Sequence, residues 1–135
     1  MSYLHISNLY RAQEILLFRE AYALEKVHGT SAPVRWTKGE GPVADRLEFF
    51  SGGAKHAAFV KLFDAAALTA AFTALGLAQG VVYGEAYGGS QQGMKDTYGD
   101  ALRFIAFDVL VGAVWLAVPD ACGIVTDALK LEFVP

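Results

Sequence analysis

Three charged side chains set in apolar surroundings hold the most chemical promise in this chain: Lys26, Glu85 and Asp108. Lys26 stands in Glu25-Lys26-Val27-His28-Gly29. If that stretch is a strand, Tyr22, Leu24, Lys26 and His28 share one face and Ala23, Glu25 and Val27 the other. Two apolar neighbours on its own face predict a partly buried lysine. Desolvation disfavours the ammonium form, which is what a nucleophilic amine needs. The plainer reading makes Lys26 an edge-strand lysine that discourages aggregation, with His28 a polar residue at a turn.

Glu85 lies in Val81-Val82-Tyr83-Gly84-Glu85-Ala86-Tyr87-Gly88. Alternation places Val81, Tyr83, Glu85 and Tyr87 together and leaves the face of Val82, Gly84 and Ala86 slim. A carboxylate inside an apolar strand requires a partner, a ligand or water, because burying it alone is costly. On the plainer reading that face is wet and Glu85 is solvated. Asp108 is the only charge in Phe104-Ile105-Ala106-Phe107-Asp108-Val109-Leu110 and raises the same question. Phe107 and Asp108 are adjacent, so a regular strand points them to opposite faces. They share a pocket only where the strand twists or bulges. An aromatic residue in a strand is otherwise ordinary core.

The elements that must position these residues follow from the pattern. Ser7 or Asn8 caps a short first helix in which Leu9, Ala12, Ile15, Leu16 and Arg19 keep helical spacing. Strand-like stretches at 21–28 and 30–36 flank a turn at Gly29, and another strand runs from Arg46 to Phe50. Lys55 to Phe63 reads as a helix, and alanine-rich Asp64 to Leu77 is the clearest helix of all. Val81 to Tyr87 is a strand, and Gly88 to Gly99 a polar, glycine-bearing flexible loop. Leu102 to Val111 and Ala113 to Val118 form a strand pair with a tight turn near Gly112. Pro119 opens a helix to about Leu129, and the chain ends in a strand-like run. Helices and strands do not alternate strictly, which predicts an α+β fold with mainly antiparallel sheets flanked by helices.

Composition narrows the function classes. The 135 residues make one domain, and 54% hydrophobic content supports a real core. A net charge of −3 excludes a domain that holds nucleic acid by bulk positive charge alone. One cysteine, Cys122, excludes an internal disulfide framework and suits a reducing compartment. The mean hydropathy of +0.33 is high. Even so, Ala65 to Ala78 is too short to span a bilayer, and Phe104 to Val118 carries Asp108. No secretory signal opens the sequence. These features predict a soluble, intracellular (cytoplasmic) protein with no membrane partner. His5, His28 and His56 lack metal-ligand spacing, so no metal-binding residue is expected, and Gly88–Gly93 lacks the context of a phosphate-binding P-loop.

Taken in order, these segments resemble the ATP-dependent RNA ligases of the phage T4 RNA ligase 2 type, within the covalent nucleotidyltransferases. Glu25-Lys26-Val27-His28-Gly29-Thr30, with its lead-in from Asn8-Leu9-Tyr10-Arg11, is similar to the family's motif I, Lys-x-(Asp/His)-Gly. Val82-Tyr83-Gly84-Glu85 resembles motif III and Ile105-Ala106-Phe107-Asp108 motif IIIa. Gly93 to Gly99 resembles the Tyr-Gly connector between them. The separations are 59 residues from Lys26 to Glu85 and 23 from Glu85 to Asp108. The resemblance implies that Lys26 is the catalytic nucleophile, attacking ATP to form lysyl-AMP before AMP passes to an RNA 5′-phosphate and the strand is sealed. It implies that Glu85 contacts the ribose and Phe107 stacks on adenine beside Asp108. It also implies that Glu25, His28 and Gly29 complete the nucleotide-binding set. The implied cofactors are ATP and a divalent cation, usually Mg2+, and the implied partners are ATP or AMP and RNA ends.

The sequence departs from that pattern after Asp108. The family carries a Glu-Gly motif IV and a Lys-x-Lys motif V, whereas here the later lysine and glutamate are Lys130 and Glu132 alone. The family's ribose-contacting arginine has only Arg46 as a counterpart, and its basic C-terminal region is missing. Residues 1–135 therefore correspond to the N-terminal portion of such a domain, with little activity expected of the chain by itself. The alternative is a non-catalytic or split nucleotide-binding module. Either way, an apolar face near Leu131 to Val134 is expected to lie uncovered, leading to self-association or docking of a complementing polypeptide.

Overall fold

The computed structural model describes residues 3–135. In chain order they form β1 (Thr30–Ser31), β2 (Val34–Thr37), β3 (Arg46–Phe49), α1 (His56–Val60), α2 (Ala65–Ala74), β4 (Gln79–Tyr87), α3 (Lys95–Tyr98), β5 (Arg103–Val111), β6 (Val114–Trp115) and α4 (Val118–Gly123). The six strands make one antiparallel sheet in the order β3-β2-β4-β5-β6, with β1 also paired to β4. The fold is α+β, as the pattern predicts.

One face of the sheet is covered by helices. Val34, Trp36, Val82, Ala86 and Val109 meet Phe59 of α1, Leu68 and Phe72 of α2, and Ala121 of α4 in a single buried cluster. The Trp36 ring stacks on Phe72 with their planes 5° from parallel, and its indole N–H donates to the Leu77 carbonyl at 2.9 Å. Fully burying side chains of this size contributes about 1.5–3 kcal/mol each. The Asp64 carboxylate accepts from the Ala67 N–H at 3.0 Å and so caps α2. Gly84 keeps this face slim for a reason: a Cβ there would come within 2.4 Å of the Phe104 ring.

Three predicted elements are corrected. Between residues 8 and 19 there is no α-helix, only a turn after Asn8 and a single 3₁₀ turn at Glu14–Leu17. Leu16, Leu17 and Phe18 are exposed there, so the apolar stripe finds nothing to pack on, and a helix this short is marginal without packing. Residues 21–28 are extended but join no strand. They are held to the body by the Glu25 N–H, which donates to the Pro135 carbonyl at 3.0 Å, by the His28 N–H, which donates to the Tyr98 hydroxyl, and by buried Val27. The 30–36 strand is split into β1 and β2 at Pro33, which has no N–H to give.

Two further corrections concern the later part of the chain. The loop from Gly88 to Gly99 contains a 3₁₀ turn and α3, and it buries Gln91. The apolar side chains of the final residues are covered, with Leu131 and Phe133 packed against the core. Val134 is buried, and Ala106 of β5 donates to Glu132 and accepts from Val134 at 2.9 Å each. The uncovered apolar surface lies instead on residues 4–24, where Tyr10 is 94% and Leu17 85% exposed.

Candidate functional site

The opposite face of the sheet bears a cavity of about 820 Å³, within the range of small-molecule sites. Its wall brings together segments distant in sequence: residues 3–8, Leu24 to Val27, Ser31, Glu85, Phe107 with Asp108, Leu116, Val118 and Val134. Lys26, Glu25, Glu85, Phe107 and Asp108 thus share one concavity. His28 and Gly29 are not on the wall. Gly29 acts at a distance, because a Cβ there would meet the Ala86 carbonyl oxygen at 2.2 Å. Only glycine lets the chain press so closely on β4 three positions after Lys26. The His28 N–H is held by the Tyr98 hydroxyl at 3.3 Å, which ties the same segment to α3.

A bulge explains how neighbours on β5 reach one pocket. Tyr83 pairs with Asp108 and the next residue, Gly84, pairs with Ala106, so Phe107 is the extra residue on β5. The bulge turns Phe107 toward the side that Asp108 already faces. On a regular strand the pair would have been divided between the cavity and the helix-side core.

The electrostatics of the wall are uneven. Glu85 is half-buried, and its Oε2 has no hydrogen-bond partner. Burial pushes its carboxyl above the usual carboxylate range, and the nearby Lys26 charge pulls partly in the other direction. Lys26 itself is exposed, contrary to the expected partial burial, because Val27 is the residue that turns inward at 7% exposure. Three carboxylates on the wall (Glu25, Glu85 and Asp108) face a single lysine, and no arginine lines it among the described residues. Arg46 pairs with Glu48 at 3.4 Å, away from the cavity. Among the described residues no three His, Cys, Asp or Glu side chains assemble to hold a metal ion.

The residue that sequence reasoning missed is Tyr3. Its hydroxyl donates to Asp108 Oδ2 at 2.6 Å across 105 positions of sequence. No local pattern announces a contact of that span.

No protein-family model matches the sequence, and no curated protein matches it. Solved structures do. A lysine-to-methionine variant of Naegleria gruberi RNA ligase with AMP and manganese aligns at TM-score 0.57 and 18% identity. A lysine-to-alanine variant of that ligase with ATP and manganese gives 0.57 and 19%, and a glutamate-to-alanine variant with AMP and manganese gives 0.56 and 20%. This chain shares their fold. Each alignment covers 83% of this chain and 34% of the ligase, so the chain spans about a third of the length of the proteins it matches. No helix among the described residues is long and apolar enough to cross a membrane.

Proposed function

We propose that residues 1–135 form the nucleoside-binding portion of an ATP-dependent RNA ligase nucleotidyltransferase domain, of the phage T4 RNA ligase 2 type. The observation that carries this reading is the convergence of Lys26, Glu85, Phe107 and Asp108 on one cavity. In this reading adenine stacks on Phe107 and the unpaired Glu85 oxygen receives a ribose hydroxyl. The Lys26 amine then stands at the open side, toward the α-phosphate. Its nitrogen would attack that phosphorus, forming an N–P bond as pyrophosphate leaves and the amine gives up a proton. Transfer of AMP to an RNA 5′-phosphate and sealing by a 3′-hydroxyl would follow.

The same wall favours a split or non-catalytic module for this chain taken alone. Attack needs a neutral amine, whereas a free lysine in water, with a pKa of about 10.4, is almost wholly protonated at neutral pH. A triphosphate brings several negative charges to a wall already carrying three carboxylates, and among the described residues no lysine besides Lys26 and no arginine lines that wall to match the charge that develops at phosphorus. Loss of one such electrostatic partner commonly costs about a hundredfold in rate. Among the described residues no three His, Cys, Asp or Glu side chains assemble to hold a metal ion. A divalent cation, usually Mg2+, would enter with the phosphates as part of the substrate and be held by groups supplied elsewhere.

The test is labelling with α-labelled ATP and magnesium. The 135-residue chain should form little protein–AMP adduct. A polypeptide carrying Glu-Gly and Lys-x-Lys motifs, added in trans, should restore labelling, and Lys26→Ala should abolish it again. Labelling that survives Lys26→Ala would refute the choice of nucleophile. Strong labelling of the isolated chain would refute the split.

A further inference from the structure

The bulge that turns Phe107 into the cavity also leaves it without a partner on β4. A β-bulge disrupts the ladder locally, so the direction of its side chains must be held by something else. Tyr3 touches both residues concerned. Its ring centroid lies 5.0 Å from that of Phe107 with the planes at 87°, an edge-to-face contact. Its hydroxyl donates to Asp108 Oδ2 at 2.6 Å, while Asp108 Oδ1 accepts from the Val109 N–H at 2.8 Å. Tyr83 and Trp115 close on the same ring at 5.1 and 5.4 Å.

We infer that Tyr3 is a positioning residue, one that fixes Phe107 and Asp108 in their cavity-facing arrangement and so presets the flat surface a nucleobase would stack on. The nucleobase part of this inference rests on the function proposed above; the hold on the bulge does not. Leu4 and Ile6, beyond Tyr3 on the same arm, are 60% and 74% exposed, so they add little packing to fasten it. Tyr3 is the pin. Burial and the Asp108 carboxylate both raise its phenol pKa, so it remains a protonated donor across the ordinary pH range. An edge-to-face ring contact adds to plain area burial, and a charge-assisted hydrogen bond is stronger than a neutral one; here both act through one side chain.

The experiment places 4-fluorophenylalanine at position 107 of the full chain and follows its fluorine resonance, with the Trp36 indole N–H as a reporter of the helix-covered face. Tyr3→Ala should shift or broaden the fluorine line and leave the Trp36 signal in place. Tyr3→Phe keeps the ring contact and should leave the fluorine line near its original position. AMP affinity should fall about threefold in Tyr3→Phe and about tenfold in Tyr3→Ala. An unchanged fluorine line in Tyr3→Ala would overturn the inference. If Tyr3→Ala also moves the Trp36 signal, Tyr3→Phe decides: a fluorine line displaced as far as in Tyr3→Ala would overturn the hold attributed to ring contact. A fluorine response in a chain that does not bind AMP would leave Tyr3's hold on the bulge standing and overturn the nucleotide reading.

Discussion

The two faces of the central sheet are built from alternate residues of the same strands, and they meet opposite surroundings. On the helix-covered side Trp36, Phe59, Phe72, Val82 and Val109 are sealed at 2% exposure or less. On the cavity side Glu85 and Asp108 sit at half-buried positions, and one Glu85 oxygen goes unpaired. Along β4 the change occurs between consecutive residues, from Gly84 packed under Phe104 to Glu85 on the cavity wall. One face carries the stability of the fold. The other gives up some of it to polar groups aimed at open space, which is the arrangement the proposed nucleotide site needs.

The largest expected effect breaks the first face. Phe72→Ala removes the ring stacked on Trp36 and should cost about 3–5 kcal/mol in urea denaturation, with nucleotide binding lost only in proportion to unfolding. Phe107→Ala should invert that outcome. Phe107 is half-buried at a bulge, so the urea midpoint should move little. AMP affinity, read by calorimetry, should drop about tenfold or more, as for a lost aromatic–base stack. If both substitutions lower stability equally and neither affects binding beyond that, the division between the faces fails.

Glu85→Gln sharpens the comparison through pH. Burial raises the native carboxyl of Glu85 above its unfolded value near 4.5. Its contribution to stability is therefore fully present below that unfolded value and is lost as pH rises through the raised native one. The glutamine variant should melt higher than the parent chain at pH 7, and the two should converge below about pH 4. A glutamine variant that melts lower at pH 7 would mean Glu85 has a stabilising partner after all.

How much of this was legible in the sequence depended on whether a residue's fate was decided locally. The α+β class, the alanine-rich helix, the strand from Val81 to Tyr87 and the turn near Gly112 all follow from spacing and turn chemistry; the structure extends that strand back to Gln79 and makes Asp64 the cap of α2. The set Lys26, Glu85, Phe107 and Asp108 was also found from sequence, by motif order. The bulge was legible only as a condition, since it exists in the pairing of β5 with β4 and not in β5 alone. Residues 8–19 and 21–28 carry helix-like and strand-like periods, yet the first has no surface to pack on and the second, apart from buried Val27, no strand to pair with, so periodicity misled. The burial of Lys26 inferred from Tyr22 and Leu24 failed for the same reason: without a neighbouring strand, alternation fixes no inside. Tyr3 was invisible because its contacts lie 80 to 112 positions away.

The central claim is that the cavity face, and not the helix-covered face, receives an adenine nucleotide. Backbone amide chemical shifts followed during titration with AMP and magnesium test it most directly. The account predicts saturable changes at Lys26, Val27, Glu85, Phe107 and Asp108, with Trp36, Phe59 and Phe72 unmoved. No saturable change, or changes centred on the shallow groove of Leu62, Phe63 and Leu102 on the far side of β5, would contradict it.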